Sequence, residues 1–445
     1  MSAAVLRSVA ILCALTSIAT AAPRKRPVPN YSGRGAAPAS ALDRLAWIPR
    51  IALFPVRIVV DYGMRMPFGW LTRTVETSRP TRKLIRYLFI GPATPTPSIY
   101  PVALYDFGSQ PSIGARLSWD NGFLTPGSKL KIKLGVGGFD WWRVDSGVRV
   151  AYHSSFVSLD LGARRQPDYR FYGIGPRTPE EAAARYGARR LTARLGIGAQ
   201  LAEWGEVAGF AGATNLTFRR EGYGDDPPID DRVADGLIAD LPEGYPGGYS
   251  TLRTGGTVAL DTRLRKKHVG SGARLDAKLE RVRRVDTSDR WTRLELRGGG
   301  SLLLDPVGER KLDVKLEVNV VEPANDRVEI PFLELTSVAG SGHLRGFPTG
   351  RLYGESAAAL TLEYQWPVAA WLDAHAHLGT GNVFGRRLSG FSAGALRGSA
   401  GLGVSLAGLT DDRYIELSTS VGTAPFDEGF DITSFRLILG FTSDY

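Results

Sequence analysis

Three groups of residues have types and spacings suited to chemistry. Gly390-Phe391-Ser392-Ala393-Gly394 spells a nucleophile elbow, the strand–turn–helix device that lifts a serine for acyl transfer. A strand pattern, not a helix pattern, resumes near residue 395, so no catalytic role is expected there. Asp373, His375 and His377 share one face of a strand, as metal ligands can. Polar lining of an aqueous interior is the simpler account, and no metal or other cofactor is expected. The third group is Arg345 and Glu363. Gly342-His343-Leu344-Arg345-Gly346-Phe347 falls in a long connection before the strand pattern that holds Thr361, Glu363 and Gln365 on one face and Leu360, Leu362, Tyr364 and Trp366 on the other. A carboxylate withdrawn from water needs a cation, because an unpaired buried charge is costly. Arg345 on a loop folded inward would meet Glu363 with a two-pronged contact. Gly346 would let that loop turn tightly, and Phe347 would pack against the wall. An exposed loop carrying a solvated arginine is the alternative.

The elements that must position these groups have a two-residue period. Leu130, Ile132, Leu134 and Val136 alternate with Lys129, Lys131, Lys133 and Gly135. Leu275, Ala277 and Leu279 alternate with Arg274, Asp276, Lys278 and Glu280, and Leu312, Val314, Leu316 and Val318 with Lys311, Asp313, Lys315 and Glu317. These are strand periods, not helix periods. About sixteen such segments occur, near 100–107, 112–119, 129–139, 143–153, 157–168, 188–203, 206–219, 251–264, 270–283, 290–304, 311–321, 354–367, 371–382, 395–406, 412–422 and 434–445. Most reach the ~9–11 residues that cross a bilayer at a tilt. Short connections (153–156, 203–205, 265–269, 305–310, 368–370) alternate with long ones (169–187, 220–250, 322–353, 384–394), the asymmetry of an outer-membrane barrel. A barrel of that many strands is too wide for side chains to fill, so an apolar interior would be a wet void. The charged face must then line the lumen and the aliphatic face meet lipid. Trp366 and Trp371 flank one short turn, where an interfacial aromatic girdle would sit.

The remaining chain reads differently. Arg7, the apolar run 9–15 and Ala19-Thr20-Ala21 read as a signal peptide over 1–21, and the sole cysteine, Cys13, lies inside it. Residues 22–97 begin basic and Pro-rich, then mix Trp47, Ile51, Leu53, Phe54, Phe68 and Leu71 with arginines. One or two amphipathic helices on the periplasmic side are expected, against the inner leaflet surface or the barrel mouth, the alternative being a loosely packed periplasmic extension. The net charge of +10 by itself would suit nucleic acid, but export and the alternation of the charges with apolar residues point away from it. The expectation is an all-β fold over 98–445: a 16-stranded antiparallel transmembrane β-barrel with a short helical N-terminal extension.

Arg345-Gly346-Phe347 with Glu363, together with Phe171-Tyr172-Gly173-Ile174-Gly175, Asp261-Thr262-Arg263 and the terminal Gly440 and Tyr445, resembles the BamA/TamA-like outer-membrane barrels, the bacterial surface-antigen family. The resemblance covers roughly residues 101–445. It implies a sixteen-stranded barrel whose sixth external loop holds its Arg-Gly-aromatic tip inside the lumen. It also implies a C-terminal signal, here Gly440 and Tyr445, recognised by barrel-assembly machinery during biogenesis. Two features depart from the family. Gly379 stands where a second carboxylate usually lies, so Glu363 would be the main partner of Arg345. Residues 22–97 lack room for more than one POTRA repeat and do not show its mixed strand and helix pattern, so the chain resembles a barrel-only branch with a short helical N-terminus.

The implied role is insertion or translocation of protein or lipid in the cell outer membrane. A seam between the first strand, near 102–107, and the last, 434–445, would template a client by strand addition. Outer-membrane lipids and client proteins are the expected partners, and no enzyme activity is expected. The rival reading is a passive pore or structural barrel, with Lys129, Lys131 and Lys133 in one lumenal row favouring anions.

Overall fold

The computed structural model describes residues 98–106, 108–120, 123–263, 271–305, 310–340, 342–369, 372–407 and 413–443. The segments read as signal peptide and helical extension, with Trp371 and Tyr445, lie outside the described residues. Sixteen strands form one closed antiparallel barrel. They are β1 Ser98–Asp106, β2 Ser112–Asp120, β3 Lys129–Val136, β4 Trp142–Tyr152, β5 Ser155–Phe171, β6 Ala184–Ala202, β7 Gly205–Arg219 and β8 Tyr249–Asp261. There follow β9 Gly272–Arg284, β10 Arg290–Asp305, β11 Arg310–Pro323, β12 Ser356–Ala369, β13 Leu372–Phe384, β14 Arg397–Ala407, β15 Arg413–Pro425 and β16 Ile432–Ser443. Every strand falls on a segment of two-residue period.

The faces are sorted opposite to those of a water-soluble core. Leu134, Leu159, Leu195, Leu275, Leu316 and Leu362 are exposed on the outside, while Glu280, Glu317, Glu363 and Glu416 are buried on the inside. An aliphatic exterior around a closed ladder is stable against hydrocarbon, where every backbone group must find its partner within the protein. Trp366 shares the outward parity of Leu362 and stands near the end of β12, beside the short turn. It is 2% exposed, packed with Leu304 and Ala374 and stacked on Tyr364 at 5.4 Å between centroids, so neighbouring side chains cover its ring.

The long connections gather at one end as a dome. Phe171, Tyr186, Phe332 and Tyr353 are buried there, with Phe332 lying 5.1 Å from Phe171, 5.4 Å from Tyr186 and 5.9 Å from Tyr353 between ring centroids. Burial pushes the Tyr353 phenol up to about 12. The connection between β7 and β8 holds a short helix, α1 (Ile229–Ala234), whose Ile229 enters the same cluster. The dome explains why β5 and β6 run further than their alternation indicates. Ala184 to Ala188 are all buried, so both faces of β6 are covered there and the two-residue contrast fades.

The closure of the barrel is uneven. β15 pairs with β16 from Arg413 opposite Ser443 to Thr423 opposite Ile432. Across the β1–β16 seam only Leu104, Tyr105 and Asp106 pair, with Gly440, Leu439 and Ile438, among the described residues. Ser98 to Ala103 pair with β2 on their other side.

Candidate functional site

The connection 324–355, between β11 and β12, enters the lumen and sets its tip against the wall of β12–β16. Arg345 is 6% exposed. Its Nη2 donates to Glu363 Oε2 at 2.9 Å, and its Nη1 donates to Glu416 Oε1 at 3.3 Å. Glu363 also accepts from Lys315 Nζ at 3.3 Å and from Gln365 Nε2 at 2.6 Å. His375 Nε2 lies 3.3 Å from Glu416. Each buried carboxylate therefore has cationic or hydrogen-bonding neighbours, the condition under which buried charge is tolerated. A second contact backs the first: His343 Nε2 lies 2.9 Å from Glu317 Oε2, and Glu317 Oε1 accepts from Asn319 Nδ2 at 2.7 Å.

Glu363 makes the shorter of the two carboxylate contacts to Arg345. A second carboxylate is present, but it is Glu416 on β15. The position on β13 is closed to any side chain, because a Cβ on Gly379 would lie 2.9 Å from the His343 carbonyl oxygen. The loop backbone occupies that space. Glu416 was illegible in the sequence because only the register of β13, β14 and β15 brings it beside His375 and Arg345.

Gly346 lies in a tight turn, closed by the Phe347 N–H donating to the Leu344 carbonyl at 3.1 Å, and its bareness has a second use. A Cβ there would sit 2.0 Å from the Val421 carbonyl oxygen, so the tip backbone lies directly on β15. The tip is then stitched to two further strands. The Gly346 N–H donates to Ser399 Oγ at 2.8 Å, and Ser434 Oγ donates to the Gly346 carbonyl at 2.7 Å. Phe347 is fully buried, with its ring over the bare Gly422 backbone, where a Cβ would come within 2.6 Å, and Arg397 5.8 Å from its centroid.

The tip also reaches the seam. Arg436 on β16 donates from Nε and Nη2 to the two oxygens of Asp106 on β1, at 2.9 and 2.8 Å. Its Nη1 lies 3.5 Å from the Arg345 carbonyl oxygen. One guanidinium thus bridges the first and last strands and touches the loop tip. Paired guanidinium–carboxylate contacts of this kind are strong and directional.

The other lumenal candidates lie apart from this constellation. Lys129 and Lys131 line an inner cavity with Arg149, Arg194 and Glu206, and Lys133 lines a second one beside the seam. Gly440 is buried at the seam opposite Leu104. His377 Nε2 lies 3.4 Å from Ser420 Oγ, and no three His, Cys, Asp or Glu side chains are grouped to hold a metal among the described residues. Ser392 lies between β13 and β14, where its Oγ accepts from the Ala395 N–H at 3.1 Å.

No family model matches this chain, and no curated protein sequence does. Solved structures match by fold. The barrel is similar to BamA from Haemophilus ducreyi lacking POTRA domains 1–3, with a TM-score of 0.53 and 16% identity over 78% of this chain and 71% of that one. It is similar to CdiB from Escherichia coli, with a TM-score of 0.52 and 14% identity over 79% of this chain and 63% of that one. CdiB from Acinetobacter baumannii gives a TM-score of 0.50 and 13% identity over 78% and 60%. The chain thus spans less than two thirds of either CdiB chain.

Proposed function

We propose that this sixteen-stranded barrel, which shares the fold of BamA and CdiB, resides in the outer membrane and inserts or translocates protein or lipid through the β1–β16 seam. One observation supports the reading above others: pairing across the seam is confined to Leu104–Asp106, while β1 residues Ser98 to Ala103 have no β16 partner among the described residues. Unpaired strand edges present N–H and C=O groups to any incoming strand. In lipid those groups have no water to satisfy them, so the edge is either reclosed or occupied. The Asp106–Arg436 bridge holds the seam shut at rest. The Arg345 tip narrows the lumen and braces β16 through Arg436, so loop position and seam closure are linked. Outer-membrane lipids, client proteins and, during biogenesis, barrel-assembly machinery are the partners this role requires. Neither a catalytic residue nor a cofactor has a part in it.

Locking the seam tests the proposal. Tyr105 stands opposite Leu439 in register, so Tyr105→Cys with Leu439→Cys is the pair to oxidise. In cells depending on this chain, outer-membrane dye exclusion should fail when the disulfide forms and recover on reduction. Unimpaired exclusion with the seam fully crosslinked would remove the seam from the mechanism.

A passive anion-preferring pore is the second reading, favoured by Lys129 and Lys131 on the cavity wall. Planar-bilayer recording separates the two. The seam reading expects small, flickering currents that grow in Arg345→Ala. A large, steady, anion-selective conductance from the intact chain supports the pore.

A further inference from the structure

The lumenal wall of β4–β6 contains an arrangement that the seam mechanism does not explain. Arg143 stands directly opposite Arg164, and Arg164 directly opposite Arg190, so three arginines lie side by side on three adjacent strands. Like charges in opposed register destabilise a sheet. Arg143 is held by Asp145. The Arg164 and Arg190 side chains have no hydrogen-bond or ion-pair partner among the described residues.

Arg143 and Arg164 open, with Lys133, into a chamber of about 360 Å³ beside the seam. Arg170 and Arg436 enter it from other sides, and Trp141, Val102 and Ile438 supply apolar wall. Two carboxylates are present: Asp106 is paired with Arg436, and Asp168 accepts the Gln110 N–H at 2.6 Å through Oδ2 while its Oδ1 has no hydrogen-bond partner among the described residues, against five cationic side chains on the chamber wall. The chamber therefore combines excess guanidinium and ammonium charge, a size typical of small-ligand sites, and an apolar flank against the weakly paired strands.

We propose that this chamber binds a phosphate group, with Arg164 as the central contact and Arg143 and Lys133 beside it. Guanidinium forks match phosphate oxygens in pairs, and a bound dianion neutralises the crowding of like charges along the row. The phosphate can belong to a lipid headgroup, its chains leaving past Val102 and Ile438 toward the seam, or to a free phosphate in the lumen. This deepens the seam proposal by naming a substrate chemistry. Binding to detergent-solubilised protein requires no lateral opening, so failure here and failure of the seam lock are separate results.

The test is native mass spectrometry of the full chain in neutral detergent, titrated in parallel with inorganic phosphate, phosphatidic acid and phosphatidylcholine. Arg164→Gln removes the central contact. Arg165→Gln, one residue on and paired with Asp140, is the control for charge loss alone, and electrophoretic mobility before and after heating verifies folding of each variant. We expect one bound phosphatidic acid or phosphate per chain, an affinity about tenfold or more lower in Arg164→Gln, as for loss of a charged hydrogen-bonded contact, and unchanged in Arg165→Gln. Whichever phosphate source binds in this pattern identifies the ligand. Equal binding to wild type and Arg164→Gln, binding of phosphatidylcholine as tight as phosphatidic acid, or no binding of either phosphate source overturns the proposal.

Discussion

The two halves of the lumenal wall treat charge in opposite ways. On β11–β16 most buried ions are matched: Arg345 with Glu363 and Glu416, Lys311 with Asp313 at 2.9 Å, and His343 beside Glu317, whereas buried Arg397 donates to the Pro176 and Thr423 carbonyls. On β3–β6 the matching is incomplete: Arg143, Arg164 and Arg190 stand in one row in which Arg143 alone is paired, with Asp145, the carboxylate that also opposes Lys133. The difference teaches that matched charge here fastens a loop, whereas unmatched charge faces open cavity and is available to a ligand. The β1–β16 seam lies between the two halves, and Arg436 faces both: the Arg345 carbonyl on one side and the basic chamber on the other.

The largest break in this comparison comes from Arg345→Ala. It leaves Glu363 and Glu416 buried beside each other with less positive charge, a change that costs about 3–5 kcal/mol when one partner of a buried pair is removed. Urea unfolding in lipid vesicles should show the loss. Gly346→Ala is next. Its methyl group meets the Val421 carbonyl, and relieving that overlap costs about 1–3 kcal/mol, read by the same unfolding curve and by faster proteolysis of the connection 324–355. In the basic half the sign reverses. Arg164→Gln relieves like-charge opposition and should be neutral or stabilising by about 0.2–1 kcal/mol in phosphate-free buffer.

The smallest effect concerns the loops outside the barrel. Arg177 contacts Asp427 and Glu428, tying the β5–β6 connection to the β15–β16 connection, and the hydrogen bond from Arg177 holds the Asp427 carboxyl below its usual range. A depressed carboxylate stabilises above its unfolded pKa and ceases to do so as pH falls through the folded one. Amide protection factors in 426–431 should therefore be larger at neutral pH and fall in acid, and Asp427→Asn should flatten that dependence.

The strands were legible because each face has one neighbour, lipid or lumen, and the residues alternate accordingly. Legibility failed where that condition fails, as at Ala184–Ala188 beneath the dome and at α1 inside a long connection. Arg345 and Glu363 could be found because the loop motif and the strand that receives it are close in sequence. Glu416, Ser399 and Ser434 could not, since they meet the tip only through the register of distant strands. Gly346 was identified for its place in a turn, which the structure has, but the approach of β15 to its backbone was hidden. The arginine row was hidden for the same reason as Glu416: Arg143, Arg164 and Arg190 are distant in sequence and aligned only by pairing.

The central claim is that the seam is the weak closure of an otherwise continuous ladder. Hydrogen–deuterium exchange of the chain in lipid nanodiscs measures this directly, comparing β1 residues 104–106 with β15 residues 417–421. The account predicts that the β1 amides exchange at least about a hundredfold faster, as local opening at a short pairing requires. Equal protection of the two segments would contradict it.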